Sequence, residues 1–310
     1  MNDLTAQLLN GDGRLAHTLH SSSIPTSANQ SSTQMGPMLV AAGKLGQKDL
    51  TLILALQKRE GLRFGEAALK LGLVQVEDIN SILAEQFAYT QTPAQSSQLD
   101  HRLSALFQPD SPQAEALRSL RSELMLRYFN NQSQRSLALV SAEDAEGSAL
   151  AAADLAICFA QLGLRTLLVD TNLRSPQLNR LLHLPEHTPG LSDWLASRTA
   201  VAPINIAMVR SLWVLPAGTR APNPQELLSG KRYQERLAAL TQQFDITLIS
   251  TTPMDSNRDA QIVAAQAGAA LLLARQHQTR SQALAAICQR LRDLGVRLLG
   301  AAMLGQVKQT

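Results

Sequence analysis

From Ser136 onwards the chain is punctuated by six apolar runs: LALVS, TLLVD ending at Asp170, LWVLPA from Leu212 to Ala217, ITLIS ending at Ser250, AALLLA from Ala269 to Ala274, and LLGAAML from Leu298 to Leu304. None alternates apolar with polar residues, which is the pattern of strands covered on both faces. Helical pieces separate the runs, and Gly163 and Gly295 stand where helix C-caps fall. This order predicts an α/β fold, a doubly wound parallel sheet whose sites gather at the carboxyl ends of its strands. Directly ahead of the first run, PQAEALRSLRSELMLRYF predicts a helix with Glu115, Arg118 and Arg121 along one face.

The first third of the chain carries a different pattern. MGPMLVAAGKLGQKDLTLILALQ, ending at Gln57, aligns with FGEAALKLGLVQVEDINSILAEQ, ending at Gln86, at a constant offset of 29 residues. Gly36 matches Gly65, Gly43 matches Gly72, Leu50 matches Ile79, Leu54 matches Leu83, and Gln57 matches Gln86. Glycines in register at a fixed offset imply two copies of one helix, turn and helix unit packed on each other. Residues 1–33 are rich in Ser, Thr, Asn, Gln and Gly and bury too little surface to order themselves, so they read as a disordered tail. The domain map is then a tail at 1–33, a small helix-rich tandem-repeat domain at 34–89, a linker at 90–110 built around TQTPAQSSQ, and the sheet-bearing domain at 111–310.

Composition adds little to this and excludes some classes. At 310 residues there is room for two domains, and the net charge of +3 is mild. Arg275, Arg280, Arg290, Arg292, Arg297 and Lys308 face a single acid, Asp293, near the end, but no aromatic residues are interleaved with them, which argues against nucleic acid. The two cysteines, Cys158 and Cys288, sit in apolar helical patterns and are expected to be reduced, packed thiols in a cytoplasmic protein. No signal sequence and no membrane span are expected, so any link to the inner membrane is expected to run through a partner. The sequence assigns no metal set and no catalytic residue.

The candidate chemistry lies in LALVSAEDAEGSALAAADLA, a strand, a loop and an alanine-rich helix. A phosphate-binding loop places G-x-x-x-x-G-K-[ST] in this order, because backbone N–H groups at the helix start point at phosphates. Ala142 stands at the first glycine and Gly147 at the second, while Ser148 occupies the lysine position and Ala149 the Ser/Thr position. Glu143, Asp144 and Glu146 crowd the same turn and oppose a polyphosphate. Losing the lysine and the hydroxyl, each worth roughly 1.5–3 kcal/mol, weakens nucleotide affinity by about two orders of magnitude. The scaffold is expected to have lost its phosphate chemistry.

From about Pro112 to its end the chain resembles the bacterial tyrosine kinases of exopolysaccharide assembly, and its whole arrangement is similar to the chain-length-determinant type of that family. The residues that carry the resemblance are the E-x-x-R-x-x-R helix of Glu115, Arg118 and Arg121, DTNLRSP from Asp170, GLSDWLA from Gly190, LPAGTRAPNPQELLSG from Leu215, and DAQ from Asp259. The resemblance implies a P-loop NTPase-like fold, ring contacts through Glu115, Arg118 and Arg121, and bound ATP with magnesium. The departures fall on that chemistry. Asn172 replaces the second aspartate of D-x-D, Ser250 replaces the aspartate after the apolar strand, and only Asp170 and Arg174 remain. The tyrosine-rich tail that the family often carries has no counterpart in GQVKQT, and the tyrosines are Tyr89, Tyr128 and Tyr233.

The tandem copies resemble the N-terminal domain of type II secretion and pilus ATPases, the MshE family, some members of which bind cyclic di-GMP. The second copy carries that motif at Arg63, Gly65, Gly72 and Gln86; the first has Gln34 in the arginine position and Lys44 at an apolar site. Gly36, Gly43, Gln57, Arg63, Gly65, Gly72 and Gln86 are therefore the cyclic di-GMP candidates. The nucleotide-binding remnant comprises Ala142, Glu146, Gly147, Ser148, Ala149, Asp170, Asn172, Arg174 and Ser250. Three readings follow. The favoured one is a pseudokinase-like regulator without cofactor, forming homo- or hetero-oligomers and docking to a membrane-embedded chain-length determinant protein or to active kinase subunits. The second is an active tyrosine autokinase using ATP and magnesium, with Arg174 as the replacement cation. The third is a cyclic di-GMP receptor.

Overall fold

The structure is a computed structural model and describes residues 32–75, 78–79, 99–130, 134–196 and 201–305. These fall into two compact units, one within residues 19–91 and one from residue 92 onwards. Gln86 and Tyr89, and residues 1–31 of the expected tail, lie outside the described residues.

In the first unit, α1 (Ser32–Ala41), α2 (Gln47–Glu60) and α3 (Phe64–Lys70) enclose Leu39, Ile53, Phe64, Ala67 and Ala68. The 29-residue offset returns as geometry. Gly46 N donates to Asp49 Oδ2 at 2.8 Å, and Gln75 N donates to Asp78 Oδ2 at 3.0 Å. Gly43 and Gly72 close the preceding turns at φ 70° and 65°, a conformation that glycine adopts without a Cβ penalty. Lys44, the residue that breaks the apolar pattern of the first copy, reaches across to Asp78 at 2.8 Å, so the departure ties one copy to the helix start of the other.

The second unit begins earlier than the sequence pattern predicts. Residues 99–110, expected as linker, hold α4 (Ser104–Phe107), and Leu99, Leu103 and Leu106 are buried in the core. The anchor is a carboxylate that periodicity does not reveal, Asp154. Next come α5 (Pro112–Leu124), capped by Ser111 Oγ and extended by a π-turn over Met125–Phe129, then β1 (Ser136–Ser141), α6 (Ala145–Ala160) and β2 (Thr166–Asp170). They are followed by α7 (Leu178–Leu181), α8 (Leu191–Ala196), β3 (Ile204–Asn205), β4 (Leu212–Leu215), α9 (Pro224–Ser229) and α10 (Lys231–Thr241). The remaining elements are β5 (Ile246–Ser250), α11 (Asp259–Ala267), β6 (Ala269–Arg275), α12 (Ser281–Asp293) and β7 (Arg297–Leu304).

The seven strands run in the order β3-β4-β2-β5-β1-β6-β7, parallel throughout except for β3 against β4. The six apolar runs supply every parallel strand. The antiparallel edge strand β3 is two residues long, too short to carry a hydrophobic pattern. One apolar layer lies on each face of the sheet. On the first face α6 is sunk so deeply that 12 of its 16 residues are buried, which small alanine side chains permit. The order β2-β5-β1 sets the ends of those strands side by side, and their loops form one rim.

Candidate functional site

The rim starts with the loop between β1 and α6. Ala142 is buried, and its carbonyl accepts from Asp255 N at 3.1 Å, which ties the loop to the segment after β5. Asp144 is the N-cap of α6, its Oδ1 accepting from Gly147 N at 2.9 Å. The side chain in the lysine position turns away from solvent: Ser148 Oγ donates to Asp144 O at 2.5 Å and lies 3.3 Å from Ser141 Oγ. Ala149 is buried beneath it and offers no oxygen. Glu146 faces outward and pairs with Arg102 at 2.7 Å, while Arg102 also grips Asp100 at 2.8 Å. Arg275, at the end of β6, places Nη1 3.1 Å from Asp144 Oδ2.

The loop after β2 is equally self-contained. Asp170 is fully buried, accepting from Asn172 N at 2.9 Å and from Leu178 N at 3.4 Å, and burial pushes its carboxyl up to about 6 against those hydrogen bonds. Asn172 spends its side-chain oxygen on Ser175 N at 3.0 Å. Arg174 Nε donates to Asp259 Oδ2 at 2.8 Å, and Asp259 is 1% exposed at the start of α11. Ser250 is buried at the end of β5, its carbonyl accepting from Thr171 N at 2.9 Å and Thr171 Oγ1 at 2.7 Å.

The structure therefore brings the nine remnant residues to one rim but engages their polar atoms with other groups of the chain. They do not fit a magnesium-bound triphosphate. The lysine position is an inward hydroxyl, the Ser/Thr position is a methyl group, and a carboxylate lies over the glycine. The one carboxylate left from the aspartate set caps its own loop. No group of three or more His, Cys, Asp or Glu that could hold a metal occurs among the described residues. Arg174 is the replacement cation that an active autokinase would need. It is committed to Asp259, and the cations that reach the loop are Arg275 and Arg102. Sequence reasoning missed both, as well as the cap; Asp144 three residues ahead of Gly147 at a helix start was the available signal.

The other candidates divide in the same way. Glu115 takes Arg118 Nε and Nη2 at 3.0 and 2.8 Å, and Arg118 Nη2 also donates to Pro109 O at 2.7 Å. Arg121 turns away from that pair: its Nη1 donates to Cys158 O at 3.1 Å in the last turn of α6, and burial lowers the guanidinium's affinity for its proton. In the first unit Gly36 packs against Leu50 and Phe64, Gly65 faces Ile79, and Gln57 O accepts from Gly61 N at 2.9 Å. Arg63 donates its backbone N–H to Glu66 Oε2 at 2.9 Å and holds its side chain exposed. Neither described tyrosine is open to solvent. Tyr128 OH donates to Ser136 O at 2.8 Å, and Tyr233 is wholly buried, with no hydrogen-bond partner for its hydroxyl.

No family model matches the chain. Among characterised proteins it is similar to tyrosine-protein kinase YwqD of Bacillus subtilis, 30% identical over 211 residues, covering 68% of this chain and 88% of that one. It is also similar to the putative tyrosine-protein kinase CapB of Staphylococcus aureus, 31% identical over 166 residues, covering 52% of this chain and 72% of that one. Among solved structures, the kinase domain of the Escherichia coli tyrosine kinase ETK superposes with a TM-score of 0.64 at 25% identity, covering 71% of this chain and 86% of that one. With a parallel sheet in this order and a relative matched over nearly its full length, the chain belongs to the bacterial tyrosine-protein kinase family.

Proposed function

We propose that this chain is a non-catalytic member of its family, one that regulates exopolysaccharide polymerisation or export by binding partners. The observation that carries the reading is the closed start of α6, where Asp144 caps the helix and Ser148 points inward, so that neither charge nor space favours a phosphate. The self-satisfied Asp170 loop and the buried Tyr128 and Tyr233 support it from the metal and the substrate side. The partner would be a membrane-embedded chain-length determinant protein or an active kinase subunit, met through the face that carries exposed Glu115 and half-buried Arg118. No helix among the described residues is long and apolar enough to cross a membrane, so membrane contact in this reading comes through that partner. The test is purified full chain with magnesium and ATP. Phosphate release and phosphotyrosine at background levels are expected, and clear magnesium-dependent turnover overturns the proposal.

A second reading, cyclic di-GMP binding by the first unit, is favoured by one observation. The exposed Arg63 shares its unit with exposed Leu52, Leu54, Leu69 and Leu71, the kinds of cationic and apolar group that a stacked dinucleotide would use. Calorimetry of the full chain with cyclic di-GMP decides it: binding lost in Arg63→Ala supports the reading, and an absence of heat removes it.

A further inference from the structure

A missing lysine bears on phosphate affinity, but not on what Gly147, the glycine that the loop keeps, faces. In a phosphate-binding loop the N–H groups of the first helical turn converge on an anion. Here the N–H of Gly147 meets a carboxylate of the chain itself. Asp144 Oδ1 accepts from Gly147 N at 2.9 Å, and Oδ2 forms an ion pair with Arg275 Nη1 at 3.1 Å. A Cβ at position 147 would fall on the Asp144 carboxylate and 3.1 Å from Arg275 Nη2, so the carboxylate is what requires glycine here. Ser148 Oγ and Ser141 Oγ both donate to Asp144 O, fixing the same residue from below. The pair is shielded, each side chain only 22% exposed, and Arg275 Nε is buried with no hydrogen-bond partner.

We propose that Asp144 is a built-in anion: its carboxylate and the Arg275 guanidinium stand in for a phosphate and its cation, and so lock the loop in a liganded shape that excludes external anions. The proposal deepens the non-catalytic reading and rests on it. Asp144 thus acts by occupancy, and Arg275 is the cation released when that occupancy ends.

The probe is inorganic pyrophosphate without metal, titrated into the full chain and followed by calorimetry and thermal melting. Asp144→Ser keeps a capping hydroxyl while withdrawing the charge from above Gly147. It is expected to bind pyrophosphate at least about tenfold more tightly than the unaltered chain. Asp144→Ser combined with Arg275→Ala is expected to fall back to the unaltered level. Should Asp144→Ser fail to fold, Asp144→Asn keeps the acceptor for Gly147 N and removes the charge, and the same gain is expected. No gain in the folded variant, a gain that survives Arg275→Ala, or an unaltered chain that binds pyrophosphate as tightly as the variant overturns the lock. The two proposals fail separately: ATP turnover by the unaltered chain sinks the non-catalytic reading, whereas an inert unaltered chain with a silent variant sinks only the lock.

Discussion

The two units use acidic residues at helix starts in opposite ways. In the tandem-repeat unit Asp49 and Asp78 sit at equivalent positions of the two copies, each accepting from a backbone N–H three residues earlier, so the acid serves the fold in both copies. In the sheet unit Asp144 sits at a helix start where the family resemblance calls for an open glycine loop, and it takes the donor that a ligand would need. Asp49 accepts from the N–H of the residue ahead of its helix, whereas Asp144 stands ahead of its helix and accepts from an N–H inside it. Scaffold demands are met in both; what differs is whether any donor is left for something outside the chain.

The widest separation between scaffold and site is at Asp154. It is fully buried on α6, accepting from Ser104 N and Ser104 Oγ at 3.1 and 2.9 Å and from Ala105 N at 3.0 Å, and so fastens α4 to the helix behind the rim. Asp154→Ala strands those buried donors and is expected to cost about 3 kcal/mol, read by urea unfolding. In a unit of this size that is roughly 6–12 °C in melting temperature. A loss below about 1 kcal/mol would mean that the segment from Leu99 to Phe107 is held by apolar contact alone.

Asn172→Asp restores the family residue and sharpens the comparison from the other side. A second carboxylate beside buried Asp170 is expected to cost roughly 1–3 kcal/mol at pH 8 and to confer no kinase activity. A gain in magnesium-dependent nucleotide binding would show that the rim is one residue from function.

The pH dependence has a definite sign. Burial pushes Asp154 up to about 7 and Asp170 up to about 6, from an ordinary value of 3.8. The folded state therefore keeps protons that the unfolded chain gives up, and stability falls as pH rises from about 4 to about 7, then levels. Asp100 and Asp193, whose carboxyls are held below the usual range by Arg102 and by backbone and Thr219 donors respectively, act in the other direction as pH falls below about 4. Unfolding free energies measured from pH 5 to pH 8 should decline, and Asp154→Asn should flatten the part nearest neutrality. A rise over that interval would contradict the assignment.

The smallest effect belongs to Tyr233. Its hydroxyl is buried without a hydrogen-bond partner, so Tyr233→Phe is expected to leave stability unchanged or raise it by up to ~1 kcal/mol. A clear loss would reveal a partner for that hydroxyl.

What the sequence made legible follows from how each feature is encoded. Parallel strands covered on both faces announce themselves as apolar runs, so β1, β2, β4, β5, β6 and β7 could be read directly. The two residues of β3 carry no such pattern. The glycines of the repeats are local and periodic, and Gly43 and Gly72 reappear as left-handed turns. Long-range partnerships leave no local trace. Asp154 with Ser104 spans 50 positions, and Arg174 with Asp259 spans 85. The pairing of Asp144 with Arg275 is of this kind, so the sequence displays three acids in the loop but not which of them meets Gly147 and Arg275.

The most direct measurement is magnesium-dependent ATP binding to the unaltered full chain by equilibrium dialysis, carried to about 1 mM, where even ~4 kcal/mol of affinity would register. With Asp144 over Gly147 and no lysine to replace it, no saturable binding is predicted with or without magnesium. Stoichiometric binding that requires magnesium and is lost on Arg174→Ala would contradict the account.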